Sequence, residues 1–166
     1  MTIRPAEETD AEAVLALMRT IEQERDESQF LPGETLATAE DQAEQIRWMQ
    51  QAPNRSFLLA FSGDDLAGYA MALGGEFHID TATAIVVMEI LKDFRRKGFG
   101  RALMGQLEFW AREVPLHRLE LTVLSTNQEA IAFYENLGYE REGVKRQSRI
   151  LGNAYVDEWI MGKLLT

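Results

Sequence analysis

The chain reads as a mixed α/β fold built on one sheet. Apolar, β-branched or alternating runs near residues 2–6, 56–62, 66–73, 84–91, 119–124, 139–150 and 154–165 have strand character. Amphipathic runs near 9–25, 38–51, 98–113 and 125–137 have the helical period. The order is β α α β β β α β α β β. Strands and helices alternate only in the middle, which predicts a mixed rather than an all-parallel sheet. No linker, repeat or low-complexity tract interrupts the 166 residues, so a single domain over 1–166 with a substantial core is expected.

Taken in order, residues 2–6 open as a short strand. Thr9-Asp10-Ala11-Glu12 has the form of a capping box. The helix it opens places Val14, Leu15, Leu17, Met18 and Ile21 on one face and ends near Arg25. Pro32-Gly33 makes 26–36 a loop. Thr38 caps a second helix, reaching about Gln51, with Ile46 and Met49 turned inward. After a turn at Pro53-Asn54, the next two strands form a hairpin about Gly63-Asp64-Asp65, and 74–80 is a loop. The third helix repeats Leu103, Leu107 and Trp110 at i, i+4, i+7. Ser125-Thr126-Asn127 opens the fourth, and Gly138 stops it. Two strands turning at Gly152-Asn153 close the chain.

Residues 84–103 organise the rest. A buried strand passes through Gly98 and Gly100 into a helix, with Arg95, Arg96, Lys97 and Arg101 beside the glycines. The first helical N–H groups lack intrahelical partners, and the helix dipole makes that end positive. Glycines let a ligand approach the backbone. The stretch reads as a diphosphate-binding element.

Composition narrows the chemistry. There is no cysteine, which excludes disulfides, thiolate nucleophiles and cysteine-held metals. His78 and His117 have no neighbours that suggest a metal site, so no metal is expected. No apolar run approaches the ~20 residues of a membrane span and no signal segment opens the chain, so a cytoplasmic protein away from membranes is expected. A net charge of −10 disfavours nucleic acid as a partner. Residues 1–51 hold 4 basic and 12 acidic side chains, and the remainder 13 and 15. The acidic first third is either solvated helix surface or a field that attracts a cation.

Among glycine motifs, no G-x-x-x-x-G-K-[ST] loop is present. Gly98-Phe99-Gly100 begins a dinucleotide fingerprint, but Leu103 stands where its third glycine belongs, and Glu120 lies at the wrong end of its strand for a ribose acid. Arg95-Arg96-Lys97-Gly98-Phe99-Gly100 resembles the R/Q-x-x-G-x-G/A signature of the GNAT N-acetyltransferase superfamily. The run from Asn127 through Ala130 and Tyr134 to Gly138-Tyr139 is similar to that superfamily's N-x-x-A-x-x-x-Y-x-x-x-G-F/Y block. Tyr155-Val156-Asp157-Glu158-Trp159-Ile160-Met161 resembles the last strand of its bacterial amine and amino-acid acetyltransferases. The likeness is sharp over 84–165 and looser before it.

The resemblance implies a GNAT-like acyl-CoA N-acyltransferase fold, with acetyl-CoA as co-substrate and direct attack of an amine on the thioester. It implies that main chain of Met88, Ile90, Leu91 and Lys92 holds the pantetheine arm and that the Ile90 N–H polarises the acetyl carbonyl. It implies that Arg95, Arg96, Lys97, Gly98, Phe99, Gly100 and Arg101 hold the pyrophosphate. It also implies that Asn127 contacts the cofactor arm and that Tyr134 protonates the leaving thiolate and borders the cofactor. Asn127 also suits a plain N-cap, and Tyr134 a core aromatic. The base is open between Glu89, His78 and a water relay; the family's strand glutamate would fall at about Ala84. Residues 27–34, the second helix and Tyr155 and Asp157 of the final hairpin are expected to shape the acceptor site. The expected acceptor is a small-molecule primary amine such as a polyamine or amino acid. A protein N-terminus or lysine is the alternative, and a non-catalytic CoA-binding sensor the alternative of another class. A monomer or homodimer is expected.

Overall fold

The computed structural model describes residues 1–24 and 38–165. The elements follow the expected order: β1 (Thr2–Pro5), α1 (Ala11–Glu24), α2 (Ala39–Gln50), β2 (Arg55–Ser62), β3 (Asp65–Gly74), β4 (Thr83–Ile90), α3 (Phe99–Glu113), β5 (Arg118–Leu124), α4 (Gln128–Glu135), β6 (Glu140–Leu151) and β7 (Ala154–Leu164). They form one seven-stranded sheet in the order β1-β2-β3-β4-β5-β7-β6. Only β4 and β5 run parallel; every other pair is antiparallel.

The β2 run Phe57-Leu58-Leu59-Ala60 is continuously apolar because both faces of that strand are covered. Phe57 and Leu59 join Val14, Leu17, Ile21, Ile46 and Met49 in a core beneath α1 and α2. Leu58 and Ala60 face the other way, into the core of α3 and α4 with Leu103, Met104, Leu107 and Ile131. Ala60, Ala70, Ala72 and Ala84 line the sheet there and leave room for the larger α3 side chains. Outermost β6 is exposed along nearly all its length.

Two local expectations are corrected. The entry to α1 is not the box from Thr9 to Glu12. A single 3-10 turn, Glu8–Asp10, precedes the helix. Asp10 accepts from the Glu7 N–H at 2.8 Å and from both terminal nitrogens of Arg4 at 2.7 Å, so it is Asp10 that fixes the entry. Gly98 is not the first helical residue but the left-handed residue before α3, at φ +90°. By contrast, Thr38 caps α2 as expected, accepting from the Asp41 N–H at 3.2 Å. The expected loop at 26–36 lies outside the described residues.

Candidate active site

The site begins where two strands part. β4 and β5 pair through Thr83–Arg118, Ala84–Leu119 and Ile85–Glu120, and no further. Antiparallel pairs alternate between bonded and non-bonded residues. The Leu91 N–H donates to the Ala67 carbonyl at 3.0 Å, so residues 85, 87, 89 and 91 point their main chain at β3. Met88 and Ile90 therefore point theirs the other way, into the gap. The same phase on β5 follows from the Leu165 N–H bond to the His117 carbonyl at 2.8 Å, and it turns Thr122 toward the gap from the opposite side. Two diverging strands thus expose main-chain donors and acceptors to a cleft.

Not all the expected main chain joins that set. Leu91 belongs to the β3 ladder. The Lys92 N–H donates to the Glu24 carboxylate at 2.8 Å, which ties the end of α1 to the turn. The Ile90 carbonyl accepts from Arg95 Nε at 2.9 Å. Glu24 carried no local signal in the sequence, because its partner lies 68 residues away.

Beyond Ile90 the chain makes a 3-10 turn, Lys92–Phe94, and reaches the glycines. The first bond at the start of α3 is from the Ala102 N–H to the Gly98 carbonyl, at 3.0 Å. The N–H groups of Phe99, Gly100 and Arg101 precede it and point outward at the positive end of the helix, an arrangement that suits an anion. A Cβ on Gly100 would lie 3.3 Å from Ile90 Cδ1 and from Phe133 Cζ, and 3.5 Å from Met88 Cε. Glycine here lets the first turn of α3 seat against the parting strand and α4 together. Phe99 is buried edge-on to Phe94, their centroids 5.6 Å apart, which anchors the turn from below. Arg96, itself left-handed at φ +59°, pairs with Glu129 in the first turn of α4 at 3.0 Å.

Asn127 is the N-cap of α4, its side chain accepting from the Ala130 N–H at 3.1 Å. Tyr134 is buried against Phe133 and Tyr139, with centroids at 5.2 and 5.7 Å. Burial pushes its phenol up to about 12. Glu89 lies on the opposite face of the sheet, where its carboxylate accepts from the Tyr69 hydroxyl at 3.0 Å. Tyr69 belongs to the core beneath α1 and α2, whereas Tyr134 belongs to the core of α3 and α4. His78 is corrected as a candidate base. It sits on an exposed turn before β4, and a strand rise of ~3.3 Å per residue puts it roughly 20 Å or more from Ile90. Of the expected acceptor-site parts, 27–34 lies outside the described residues. Asp157 accepts from the Gln147 N–H at 2.7 Å, and its carbonyl accepts from the Ser125 N–H just past β5. Tyr155 is exposed at the far end of the hairpin. Among the described residues no group of three His, Asp or Glu side chains is placed to hold a metal ion, and no helix is long and apolar enough to cross a membrane.

Comparison with known proteins bears on the family and the fold. The model of the acetyltransferase (GNAT) family matches residues 17–139. A curated relative, the thialysine N-epsilon-acetyltransferase of Caenorhabditis elegans, is 33% identical over 88 residues, which is 49% of this chain. The match takes in 51% of that protein, about half its length. A GNAT-family acetyltransferase of Streptococcus pneumoniae superposes with a TM-score of 0.93 at 28% identity, covering 99% of both chains. A GNAT phosphinothricin acetyltransferase of Sinorhizobium meliloti, solved in complex with acetyl-CoA, shares the fold with a TM-score of 0.85 at 18% identity, over 99% of this chain and 88% of that one. The chain belongs to the acetyltransferase (GNAT) family.

Proposed function

We propose that this enzyme transfers the acetyl group of acetyl-CoA to a primary amine of a small molecule, such as a polyamine or an amino acid. The observation that carries the reading is the parted β4–β5 pair opening beside the bare N-terminus of α3. Main chain of Met88 and Ile90 suits an extended amide-bearing arm, much as a further strand would. The α3 N-terminus with Arg95, Arg96, Lys97 and Arg101 suits a diphosphate. Acetyl-CoA, when bound, supplies an activated acetyl thioester. The N–H of Ile90 donates to the carbonyl oxygen as negative charge develops there. Asn127 steadies the start of α4 beside the cofactor arm.

Acid and base work from opposite faces. Glu89, on the α1–α2 side, accepts the proton that the acceptor's ammonium must lose, directly or through water. The amine nitrogen then bonds to the acetyl carbon, and the carbon–sulfur bond breaks. Tyr134, on the α3–α4 side, donates to the departing sulfur. Because burial keeps Tyr134 protonated to about pH 12, the donor is present wherever the enzyme works. The likeness to a thialysine acetyltransferase and the acidic first third favour a small cationic acceptor. The test is a screen of polyamines, amino acids and N-terminal or lysine peptides for acetyl-CoA-dependent thiol release. Turnover with small amines and none with peptides is expected. The reverse pattern overturns the acceptor class, and silence with every acceptor overturns the catalytic reading.

A further inference from the structure

α4 is only eight residues long. Two turns of helix are marginal without tertiary support. Its start is held by Asn127. Its end is held from outside, and by a charged device.

The N–H groups of Leu137 and Tyr139 both donate to the Tyr134 carbonyl at 3.0 Å, and Gly138 turns left-handed at φ +86° between them. The carbonyl of Leu137 accepts from Lys163 Nζ of β7. The same ammonium donates to Glu108 Oε2 of α3 at 2.7 Å. It also lies 5.7 Å from the centroid of the Tyr139 ring. Tyr139 in turn meets Tyr134 edge-on at 5.7 Å with the planes at 67°. Lys163 thus touches both the backbone that ends the Tyr134 turn and the ring that walls Tyr134.

The pair is largely buried, with side-chain exposures of 19% for Lys163 and 11% for Glu108. Two polar atoms beside it, Glu108 Oε1 and the Tyr139 hydroxyl, have no partner among the described residues. A buried ion pair with unsatisfied neighbours is a poor source of stability compared with apolar packing of the same volume. It is a good source of geometry, because an ammonium held by a carboxylate on one element and a carbonyl beyond another resists displacement. The anchor on the other side is α3, the helix whose first turn forms the anion-binding end of the site.

We propose that Lys163 and Glu108 are positioning residues that set the place of the Tyr134 hydroxyl relative to the cleft. Lys163 braces the end of α4, and Glu108 ties the brace to α3. The inference rests on Tyr134 being the donor to the leaving sulfur.

The test uses the full chain. Lys163→Met is compared with the double variant Glu108→Gln/Lys163→Met, which removes both charges of the buried pair and leaves Arg112, 3.7 Å from Glu108 Oε2, half-exposed to water, each with and without Tyr134→Phe. Steady-state constants are read well below the melting temperature of each variant. Losing the brace is expected to lower kcat about tenfold, within the range that small misplacements cost. KM for acetyl-CoA is expected to stay within about twofold, since the cradle is untouched. In the Tyr134→Phe background the further loss is expected to vanish. A folded variant with unchanged kcat overturns the inference, and so does a loss that simply adds to that of Tyr134→Phe, since a structural role alone would add. If Tyr134→Phe by itself leaves kcat unchanged, the donor reading falls and this inference with it. If Tyr134→Phe lowers kcat and the brace variants do not, the donor reading stands and only the brace fails. Should Lys163→Met not fold, Glu108→Gln alone is read by the same criteria.

Discussion

Tyr134 is the residue at which structure and chemistry bear most directly on each other. Its hydroxyl adds nothing that the packing between Phe133 and Tyr139 requires, since phenylalanine would fill the same space. Tyr134→Phe should therefore fold normally and bind coenzyme A as before, while turnover falls by about 10²-fold, as loss of a positioned proton donor does. Stopped turnover assays beside calorimetry with coenzyme A separate the two, and unchanged turnover would remove its acid role. The same burial sets a pH dependence of stability. A phenol near 10 when unfolded and about 12 when folded binds its proton more tightly in the native state. Its contribution is fully present below pH 10 and is lost as pH rises toward 12, by about 1.4 kcal/mol per unit. Tyr139 shifts in the same direction, chiefly by burial and also through Glu108. Between pH 9.5 and 11.5 the melting temperature of Tyr134→Phe should fall less steeply than that of the parent. Parallel curves would show that Tyr134 is not buried as described.

The element on which the site depends is the turn from β4 into α3, and its two glycines act differently. Gly98 holds φ +90° with only Met1 Cε near an added Cβ, at 3.9 Å. Alanine there meets strain but no wall, so Gly98→Ala should lower stability by ~1–2 kcal/mol, the cost of a left-handed L-residue. Gly100 has ordinary helical geometry but little space, an added Cβ lying 3.3 Å from the side-chain ends of Ile90 and Phe133. Gly100→Val should push α3 off Ile90 and Phe133, turn its first N–H groups away, and weaken coenzyme A binding at least tenfold, one lost charge-assisted bond being worth ~1.5–3 kcal/mol. Calorimetry reads both, and an unaltered affinity in Gly100→Val would mean that the seat of this turn does not matter. The sequence made this element legible because its signals are local: β-branched residues, then basic residues, then glycine at two fixed positions. The two cores were not read from it: they appear only once alternating residues of β2 are seen to part between the helix pairs. Its resolution ended at interactions across the chain. Lys163 meets Glu108 across 55 residues, and Glu24 meets Lys92 across 68. Asp10 was legible only as part of a cap, because its affinity for Arg4 appears once β1 and α1 are brought side by side. His78 was misjudged for the same reason in reverse: five residues before β4 in sequence, it lies a full strand away from the reacting end.

At the scale of the molecule, charge decides what approaches. The net charge is −10, yet four basic residues crowd the start of α3 within seven positions. Both proposed substrates are charged, with opposite signs. A polyamine is drawn by the overall field, whereas acetyl-CoA is repelled at long range and attracted only near the turn. Salt screens the long-range part first: the Debye length falls from ~10 Å at 0.1 M to ~3 Å at 1 M, while groups in contact feel less of it. Raising ionic strength should therefore lower kcat/KM for a polyamine by tenfold or more, in keeping with the ~10–10³ gained by electrostatic steering. For acetyl-CoA the change should be smaller, because loss of the local attraction is offset by relief of the general repulsion. An uncharged-tail amine of the same length serves as the control, and its kcat/KM should fall much less than that of the polyamine. Equal salt dependence for the two amines would mean that the acidic first third is only solvated surface and plays no part in gathering the acceptor.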